Sequence, residues 1–202
     1  MEYLPLTFSA TLQHYSAPTN TSFQKYYKTA LHPTVNAVIG LLGAALGCPR
    51  GDSMLDELRQ TLVIKWKCVP KENQNVPKYK NAPAVLVKPQ TVITDFQSVK
   101  PLDGEKFIKL SQAAKGTKQK TSENSEKTGA GIIKTIEYIQ DTVFEVFVGG
   151  DVNVLRKLHK ALLNPCYALY FGKRGCVPNR PIVEVEFNTI KEEELTDVRD
   201  CT

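Results

Sequence analysis

The amino-acid sequence predicts an α+β fold in which a strand–helix–strand unit occurs twice, and three observations support that prediction. The chain has 202 residues, of which 42% are hydrophobic, so it can bury one core and is short for two domains. A helical pattern lies between two strand-like runs in residues 2–69, and the same succession recurs after residue 141. The resulting order, β-α-β-β-α-β, is the ferredoxin-like (RRM-like) plan.

The first unit is built from three segments. The opening run EYLPLTFSATL alternates loosely in polarity and is rich in Leu, Thr and Phe, which predicts a strand. The run VNAVIGLLGAALG has apolar residues at helical spacing, and Gly47 stands where a C-cap glycine belongs. The run TLVIKWKCV is rich in β-branched residues and predicts the next strand. Gly40 and Gly43 fit neither GxGxxG nor a Walker loop, so we expect them to admit a neighbouring element to the helix surface.

The second unit repeats this plan. A strand-like run, AVLVKPQTVITDF, joins the two halves, and TVFEVFVGG predicts a strand that ends in a Gly pair. Asp151 can cap a helix that continues through Leu163, because apolar residues there recur on one face. The apolar runs CYALYFG and PIVEVEF follow the helix and are expected to be strands.

Charge is distributed unevenly along the chain. Lys and Arg number 26 against 21 Asp and Glu, a formal net charge of +5. Residues 65–134 contain 14 Lys and 6 acids, whereas residues 184–200 contain seven acids and two basic residues. This pattern indicates a basic surface suited to a polyanion and an acidic tail with a different partner, although ordinary solvated faces would account for it equally well.

The sequence shows no sign of a membrane span, a signal peptide or a metal site. The longest uncharged stretch, Pro33–Pro49, contains three Gly and one Asn and is typical of a buried helix. Five cysteines form no CxxC pair, and three histidines lie apart from acids at metal spacing, so we expect reduced thiols, no metal and no cofactor. The expected location is the cytoplasm. We expect most cysteines to be ordinary core residues and the histidines to be ordinary surface residues.

Two segments carry possible chemistry. From Lys100 to Thr135 the chain is polar and rich in Gly, Lys and Ser, which predicts an exposed loop or mobile hairpin that is either functional or disordered. The segment YFGKRGCVPNRP places two Lys/Arg between glycines, where backbone amides and cations could clamp a phosphate; a solvated basic turn is the competing interpretation. Glu137 and Asp141 could share a helical face, but the adjacent β-rich run leaves their geometry open.

Four segments of the sequence occur in a characteristic order: HPTVNAVIGLLGAALGCPRGD, TDFQSV, IEYIQDTVFEVFV and NPCYALYFGKRGCVPNRPI. Together they resemble the CasD-type subunit of the type I-E CRISPR Cascade complex. That family belongs to the RAMP superfamily. The resemblance implies a single ferredoxin-like RAMP domain over residues 1–202, with a basic thumb inserted at about 100–135 and a short acidic tail at about 184–202. It also implies a cytoplasmic, non-catalytic subunit for antiviral defence.

The resemblance further implies specific partners and binding residues. The chain would bind the 5′ handle of the crRNA, cap the Cascade backbone filament, contact the backbone and large subunits, and meet target DNA only indirectly. Carried over to this sequence, with Lys28 standing for a family Arg, the implied RNA-binding residues are Lys28, Pro33, Thr34, Asn36, Arg50, Gln97, Lys106, Lys109, Glu137, Tyr138, Gly172, Lys173 and Arg174. Asp95, Asp141 and Cys176 also match the motifs, and Asp141 and Cys176 are the most readily explained by the fold alone.

Two other functions compete with this interpretation. A metal-independent endoribonuclease that processes CRISPR repeat RNA needs a His or Tyr base and a cation, which Tyr27, His32 and Lys28 could supply. A small-molecule-binding regulator with a ferredoxin-like fold would need an apolar pocket that the sequence cannot reveal.

Overall fold

The computed structural model describes residues 1–17, 26–69, 91–99 and 132–201 of the chain. Predictions for the rest of the inserted loop, including Lys106 and Lys109, and for the AVLVKPQ part of the connecting run lie outside these residues. The described strands are β1 (Glu2–Gln13), β2 (Tyr15–Ser16), β3 (Tyr26–Tyr27), β4 (Thr29–Ala30), β5 (Val63–Val69), β6 (Thr91–Val99), β7 (Ile132–Gly150), β8 (Ile190–Lys191) and β9 (Arg199–Asp200). The described α-helices are α1 (Val35–Leu46), α2 (Ser53–Thr61) and α3 (Val152–Leu163).

The predicted mixture of helices and strands is confirmed as a mixed α/β architecture with a mainly antiparallel sheet. The main sheet has the order β8-β1-β7-β5-β9. Strand β7 is 19 residues long and has different neighbours along its length. Its second half lies between β1 and β5, and its first half pairs with β6 and, in parallel, with β3. One strand therefore connects the core of the domain to the β3–β6 region.

Alternate residues of β1, β5 and β7 face the helices and form the core. The pattern follows from the period of two in a strand, which sends every second side chain to the same face. Phe8 stacks on Phe171 with ring centroids 4.6 Å apart, and Trp66 meets Phe144 edge to face. The core residues of these strands include Leu4, Leu6, Phe8, Ile64, Trp66, Phe144, Val146 and Val148, and those of the helices include Val38, Ile39, Leu42, Leu155 and Leu158.

Local sequence signals place the ends of α1 and α3 as predicted. The Thr34 hydroxyl accepts a hydrogen bond from the Ala37 amide at the start of α1, and Gly47 ends it in the left-handed conformation at φ 82°. Asp151 caps α3 by accepting from the amides of Asn153 and Val154. The expectation for Gly43 is confirmed, because a Cβ there would collide with Leu55 of α2. For Gly40 it is wrong, since nothing lies within 4 Å of such an atom.

Helix α2 and the segment after α3 differ from the sequence-based expectation. Helix α2 was not predicted; its residues are mostly polar, and among them only Leu58 is buried. The runs CYALYFG and PIVEVEF are not strands, so that prediction is wrong. They approach β1 only through isolated hydrogen bonds, Thr7 N to Ile182 O at 2.7 Å among them. Pro residues and the left-handed Gly172 prevent the continuous ladder that their β-rich composition favours.

Cysteines and histidines are placed differently from the expectation. None of the five cysteines, all of which are described, is in a disulfide, but only Cys176 is buried, while Cys68 and Cys166 are exposed. His14 and His159 are buried rather than at the surface. Each donates a ring N–H to a backbone carbonyl oxygen, His14 Nδ1 to Glu137 O and His159 Nε2 to Glu184 O. Among the described helices, none is long and apolar enough to cross a membrane.

The acidic C-terminal segment lies across the end of the sheet and contacts both β1 and β5. Strand β8 pairs with β1 and strand β9 pairs with β5, so the residues between them cross from one side of β7 to the other. The carboxylate of Glu192 accepts hydrogen bonds from Lys65 Nζ at 2.9 Å and from the Tyr3 hydroxyl at 3.3 Å. At least part of the acidic tail therefore makes contacts within the fold. We expect the stabilisation from these Glu192 contacts to be lost at acidic pH.

Replacing Glu192 by Gln is expected to make the stability of the protein less dependent on pH in the acidic range. The hydrogen bond from Lys65 lowers the pKa of Glu192 below the ordinary value of 4.5. The stability due to this contact is therefore present above about pH 4.5 and is lost as the pH falls through the lower, folded-state pKa. Melting temperatures measured between pH 6 and pH 3 should fall less steeply for Glu192→Gln than for the wild type; parallel profiles would contradict this role.

Candidate nucleic-acid interface

A cluster of two lysines around one tyrosine ring forms the centre of the candidate site. Lys173 Nζ lies 5.3 Å from the centroid of the Tyr27 ring, and Lys134 Nζ lies 5.9 Å from the same centroid. The register places Gln97 of β6 directly opposite Lys134 of β7, so their side chains project from the same face. We call Tyr27, Gln97, Lys134 and Lys173 the lysine cluster.

The electrostatics of the lysine cluster favour an anion. Partial burial lowers the pKa of Lys173, and the nearby charge of Lys134 lowers it further. Of the ion pairs among the described residues, none includes Lys134 or Lys173. Asp95, which the register places on this face, accepts a hydrogen bond from Gln97 Nε2 at 2.7 Å. A phosphate between the two ammonium groups would reduce their mutual repulsion and receive charge-assisted hydrogen bonds.

Gly172 fixes the turn that carries Lys173. The turn is closed by two hydrogen bonds of 2.8 Å, from the Phe171 amide to Cys176 O and from the Cys176 amide to Lys173 O. Gly172 has φ 95° and lies so close to the backbone carbonyl of His14 that a Cβ would overlap it. The His14 amide in turn donates to Phe171 O at 3.1 Å. The position of Lys173 therefore depends on a glycine packed against the end of β1.

Glu137 holds the strand that carries Tyr27. Its Oε1 accepts from the Tyr26 hydroxyl at 2.6 Å, and its Oε2 accepts from the Thr29 amide at 3.1 Å. Its backbone carbonyl lies 2.7 Å from His14 Nδ1. Glu137 and Asp141 lie in β7, so a shared helical face does not occur. The carboxylate of Glu137 is engaged within the protein, and a direct contact of Glu137 with RNA stays a prediction.

His14 and Tyr138 are buried side chains near the lysine cluster; His14 directly follows β1, and Tyr138 lies in β7 four residues after Lys134. Burial lowers the pKa of His14, which favours the neutral imidazole. Its ring meets that of Tyr138 edge to face with centroids 5.9 Å apart, and only 8% of Tyr138 is exposed. The prediction that Tyr138 contacts RNA directly remains open, because the described fold leaves little of its surface accessible. The hydrogen bond of His14 and its ring contact with Tyr138 join the end of β1 to β7, the strand that carries Lys134.

The remaining predicted residues that the structure describes lie in three places. Lys28 and Arg174 are exposed and directly follow Tyr27 and Lys173 in sequence. At the start of α1, Pro33 is buried, Thr34 is the N-cap and Asn36 is exposed. Arg50 follows the other end of α1, a 12-residue helix about 18 Å long. Arg50 is exposed there, and its contact with RNA stays a prediction.

The residues of the endoribonuclease alternative lie in different side-chain clusters. The His32 ring stacks on Trp66 with centroids 4.7 Å apart and planes inclined by 6°, and its Nδ1 lies 3.1 Å from Pro33 O. The Tyr27 ring instead lies against Lys134 and Lys173. The described residues contain no group of three or more His, Cys, Asp or Glu side chains that could hold a metal ion.

Sequence reasoning missed Lys134 and Tyr26 as members of this region. Lys134 lies at the edge of the Lys-rich segment, and its partners Tyr27 and Lys173 are distant in sequence, so no local spacing reveals the cluster. Tyr26 gives the weaker signal of a Tyr-Tyr pair beside basic residues. Either could have been found only by predicting that β3 pairs with β7.

The family model described as CRISPR-associated protein (Cas_Cas5) matches residues 4–200. The chain belongs to the Cas5 family. No curated protein sequence matches it. The mixed architecture of this Cas5-family chain is also found in two solved structures, each 21% identical in sequence.

The first of these structures is described as a CRISPR RNA-guided surveillance complex. Its matching chain gives a TM-score of 0.62 and covers 90% of this chain and 61% of its own length. The second, described as a crystal structure of a Cas protein, gives a TM-score of 0.52 with 92% and 64% coverage. The Cas5-family chain therefore spans less than two thirds of the length of either relative, and the similarity shows a shared fold.

Proposed function

We propose that this Cas5-family chain is an RNA-binding subunit of a CRISPR interference complex and that it holds the 5′ handle of the crRNA. The lysine cluster carries the proposal, because two ammonium groups converge on one aromatic ring without a carboxylate ion pair among the described residues. Such a group suits a phosphodiester beside an unpaired base. Lys28 and Arg174 are exposed basic residues that adjoin Tyr27 and Lys173 in sequence.

The proposal includes the CasD-type, type I-E assignment and a ferredoxin-like RAMP fold. In that interpretation β1, β5 and β7 are the first three strands, and their order in the sheet is consistent with it. The irregular segment beside β1, which continues into β8, would take the place of the fourth strand. The basic insertion between β6 and β7 would be the thumb.

We also propose that the subunit is cytoplasmic and non-catalytic and caps the backbone filament. Its protein partners would be the backbone subunit and the large subunit of the complex, and it would meet target DNA only through them. The separation of His32 from Tyr27 supports a binding role over cleavage. Incubation with labelled repeat RNA without metal tests this point, since discrete cutting that is lost in His32→Ala would favour the endoribonuclease.

Neutralising the lysine cluster is expected to weaken RNA binding and to reduce its salt dependence. Each lysine that neutralises a phosphate of single-stranded RNA contributes about 0.7 to the slope of log affinity against log salt. The double variant Lys134→Gln with Lys173→Gln should therefore lose about 1.4 from that slope and bind the handle RNA roughly tenfold more weakly. Fluorescence anisotropy over a salt series with a short handle RNA measures both quantities.

The matched control removes two lysines from the exposed side of α3. Lys157→Gln with Lys160→Gln changes the net charge by the same amount on a helix that the proposal does not involve. We expect its slope to stay close to that of the wild type. Equal loss of affinity in both double variants would show that only overall charge matters, and the proposed site would then be wrong.

A further inference from the structure

Strand β6 carries exposed apolar side chains on the face opposite to the lysine cluster. Val92, Thr94 and Phe96 occupy alternate positions there, and 64% of Phe96 is exposed. The register places Phe96 and Tyr26 on either side of the short Thr135 side chain. The exposed fraction of Tyr26 is 40%, and its hydrogen bond to Glu137 holds the ring on this face. We call Val92, Phe96 and Tyr26 the β6 surface.

Among the described residues, the strand that bears the β6 surface is paired along one edge and has no neighbour on the other. Within the described ranges β6 pairs with β7 alone, from Thr91 opposite Gln140 to Val99 opposite Ile132. Its sequence, TVITDFQSV, contains neither Pro nor Lys, the residues that commonly protect an edge strand from further pairing. β-Branched and aromatic residues make up most of it, so the edge is suited to accept another strand.

Charge on the β6 surface favours a protein over a nucleic acid. The strand residues in the rows of Thr94 and Phe96 on this face are those two, Thr135, Glu137 and Tyr26, which include one acid and no Lys or Arg. Lys134 and Gln97 project from the other face. RNA phosphates would therefore gain no counter-charge from β6 and β7 on this face, whereas an apolar protein segment would bury Phe96 and the exposed backbone edge together.

Asp95 disfavours a second copy of this chain as the partner. It lies at the centre of β6, so antiparallel pairing of two β6 strands about their centres would place two Asp95 side chains opposite each other. Like charges directly opposite destabilise a strand pair. A different chain with a basic side chain at that position would instead be stabilised.

We propose that the β6 surface binds an extended segment of another protein subunit, which adds a strand to the edge of β6 that is unpaired among the described residues and covers Phe96. The segment has apolar side chains at alternate positions and a basic side chain near Asp95. This inference rests on the proposed function in one respect: the partner is sought among the backbone and large subunits of the same CRISPR complex.

The test uses the complex assembled from this chain, guide RNA and the backbone and large subunits encoded with it. Phe96→Asp should reduce by at least tenfold the amount of one of these subunits that co-purifies, and Phe96→Thr, which keeps β-propensity, should act in the same direction. Val185→Asp is the matched control, because Val185 is 81% exposed outside the β6 surface. Hydrogen exchange of residues 91–99 should slow when that subunit is present.

Three outcomes would overturn the proposal. Unchanged assembly in both Phe96 variants would exclude the surface as a docking site. Loss of handle-RNA affinity with normal subunit retention would assign Phe96 to base stacking instead. Loss of a subunit without slower exchange in β6 would exclude strand addition. Because RNA binding by the isolated chain is measured separately, failure of this proposal is distinguishable from failure of the lysine cluster.

Discussion

Replacing Gly172 by alanine is expected to destabilise the protein by about 2–4 kcal/mol and to abolish tight RNA binding. The residue has φ 95°, where a side chain is strained, and its Cβ would overlap the backbone carbonyl oxygen of His14. Because the obstacle is backbone rather than a flexible side chain, relief requires that the turn move away from β1. Lys173 would move with it and leave Tyr27.

The matched control for this variant lies three residues further along the same turn. A Cβ added at Gly175 meets nothing within 4 Å, and Gly175 is not among the glycines with positive φ. Gly175→Ala should therefore unfold in urea within about 0.5 kcal/mol of the wild type and keep its RNA affinity. If Gly172→Ala behaved like Gly175→Ala in both assays, the turn would not depend on this close contact.

The parts of the fold set by local sequence were predictable. Thr34 and Gly47 delimit α1, and Asp151 starts α3, because caps act through hydrogen bonds to residues two to four positions away. The strands β1, β5 and the second half of β7 follow from their apolar patterns. Helix α2 was missed because it buries only Leu58, so its pattern carries little periodic signal.

The segment after α3 was mispredicted because composition and backbone geometry disagree there. Its apolar residues do enter the core, as Phe171, Ile182 and Val183 show. The same residues favour strands by propensity, but a ladder also needs consecutive amides in extended geometry, which prolines and a left-handed glycine interrupt. Burial was therefore readable from the sequence only in part, since Tyr167 and Val185 of the same runs are exposed, and the conformation was not readable.

The candidate site was predictable only in part, for a related reason. The basic turn at Lys173 is a local motif and could be named from its Gly and cationic residues. Its relation to Tyr27 and Lys134 arises from the pairing of β3 with β7 and from the packing of the turn on His14. Such contacts join residues that are far apart in sequence, and a single sequence gives no measure of them.

Removing the Glu137 carboxylate should show that it holds strand β3 against β7 and does not contact RNA directly. In Glu137→Ala the buried Thr29 amide loses its acceptor, which costs about 1–3 kcal/mol of unfolding free energy. The Tyr26 hydroxyl loses its partner as well. Strand β3 would then be held less firmly against β7, Tyr27 would leave Lys134 and Lys173, and RNA affinity would fall together with stability.

The two roles of Glu137 predict different pairs of measurements. A residue that only contacts RNA would change the dissociation constant of the handle RNA and leave urea unfolding unchanged, whereas a fastening residue changes both. Tyr26→Phe removes one of the two side-chain contacts and should produce a smaller loss in both assays. Glu186→Ala removes a carboxylate from an exposed position and should alter neither. If Tyr26→Phe left stability intact while Glu137→Ala lowered RNA affinity alone, Glu137 would belong to the RNA-contacting surface.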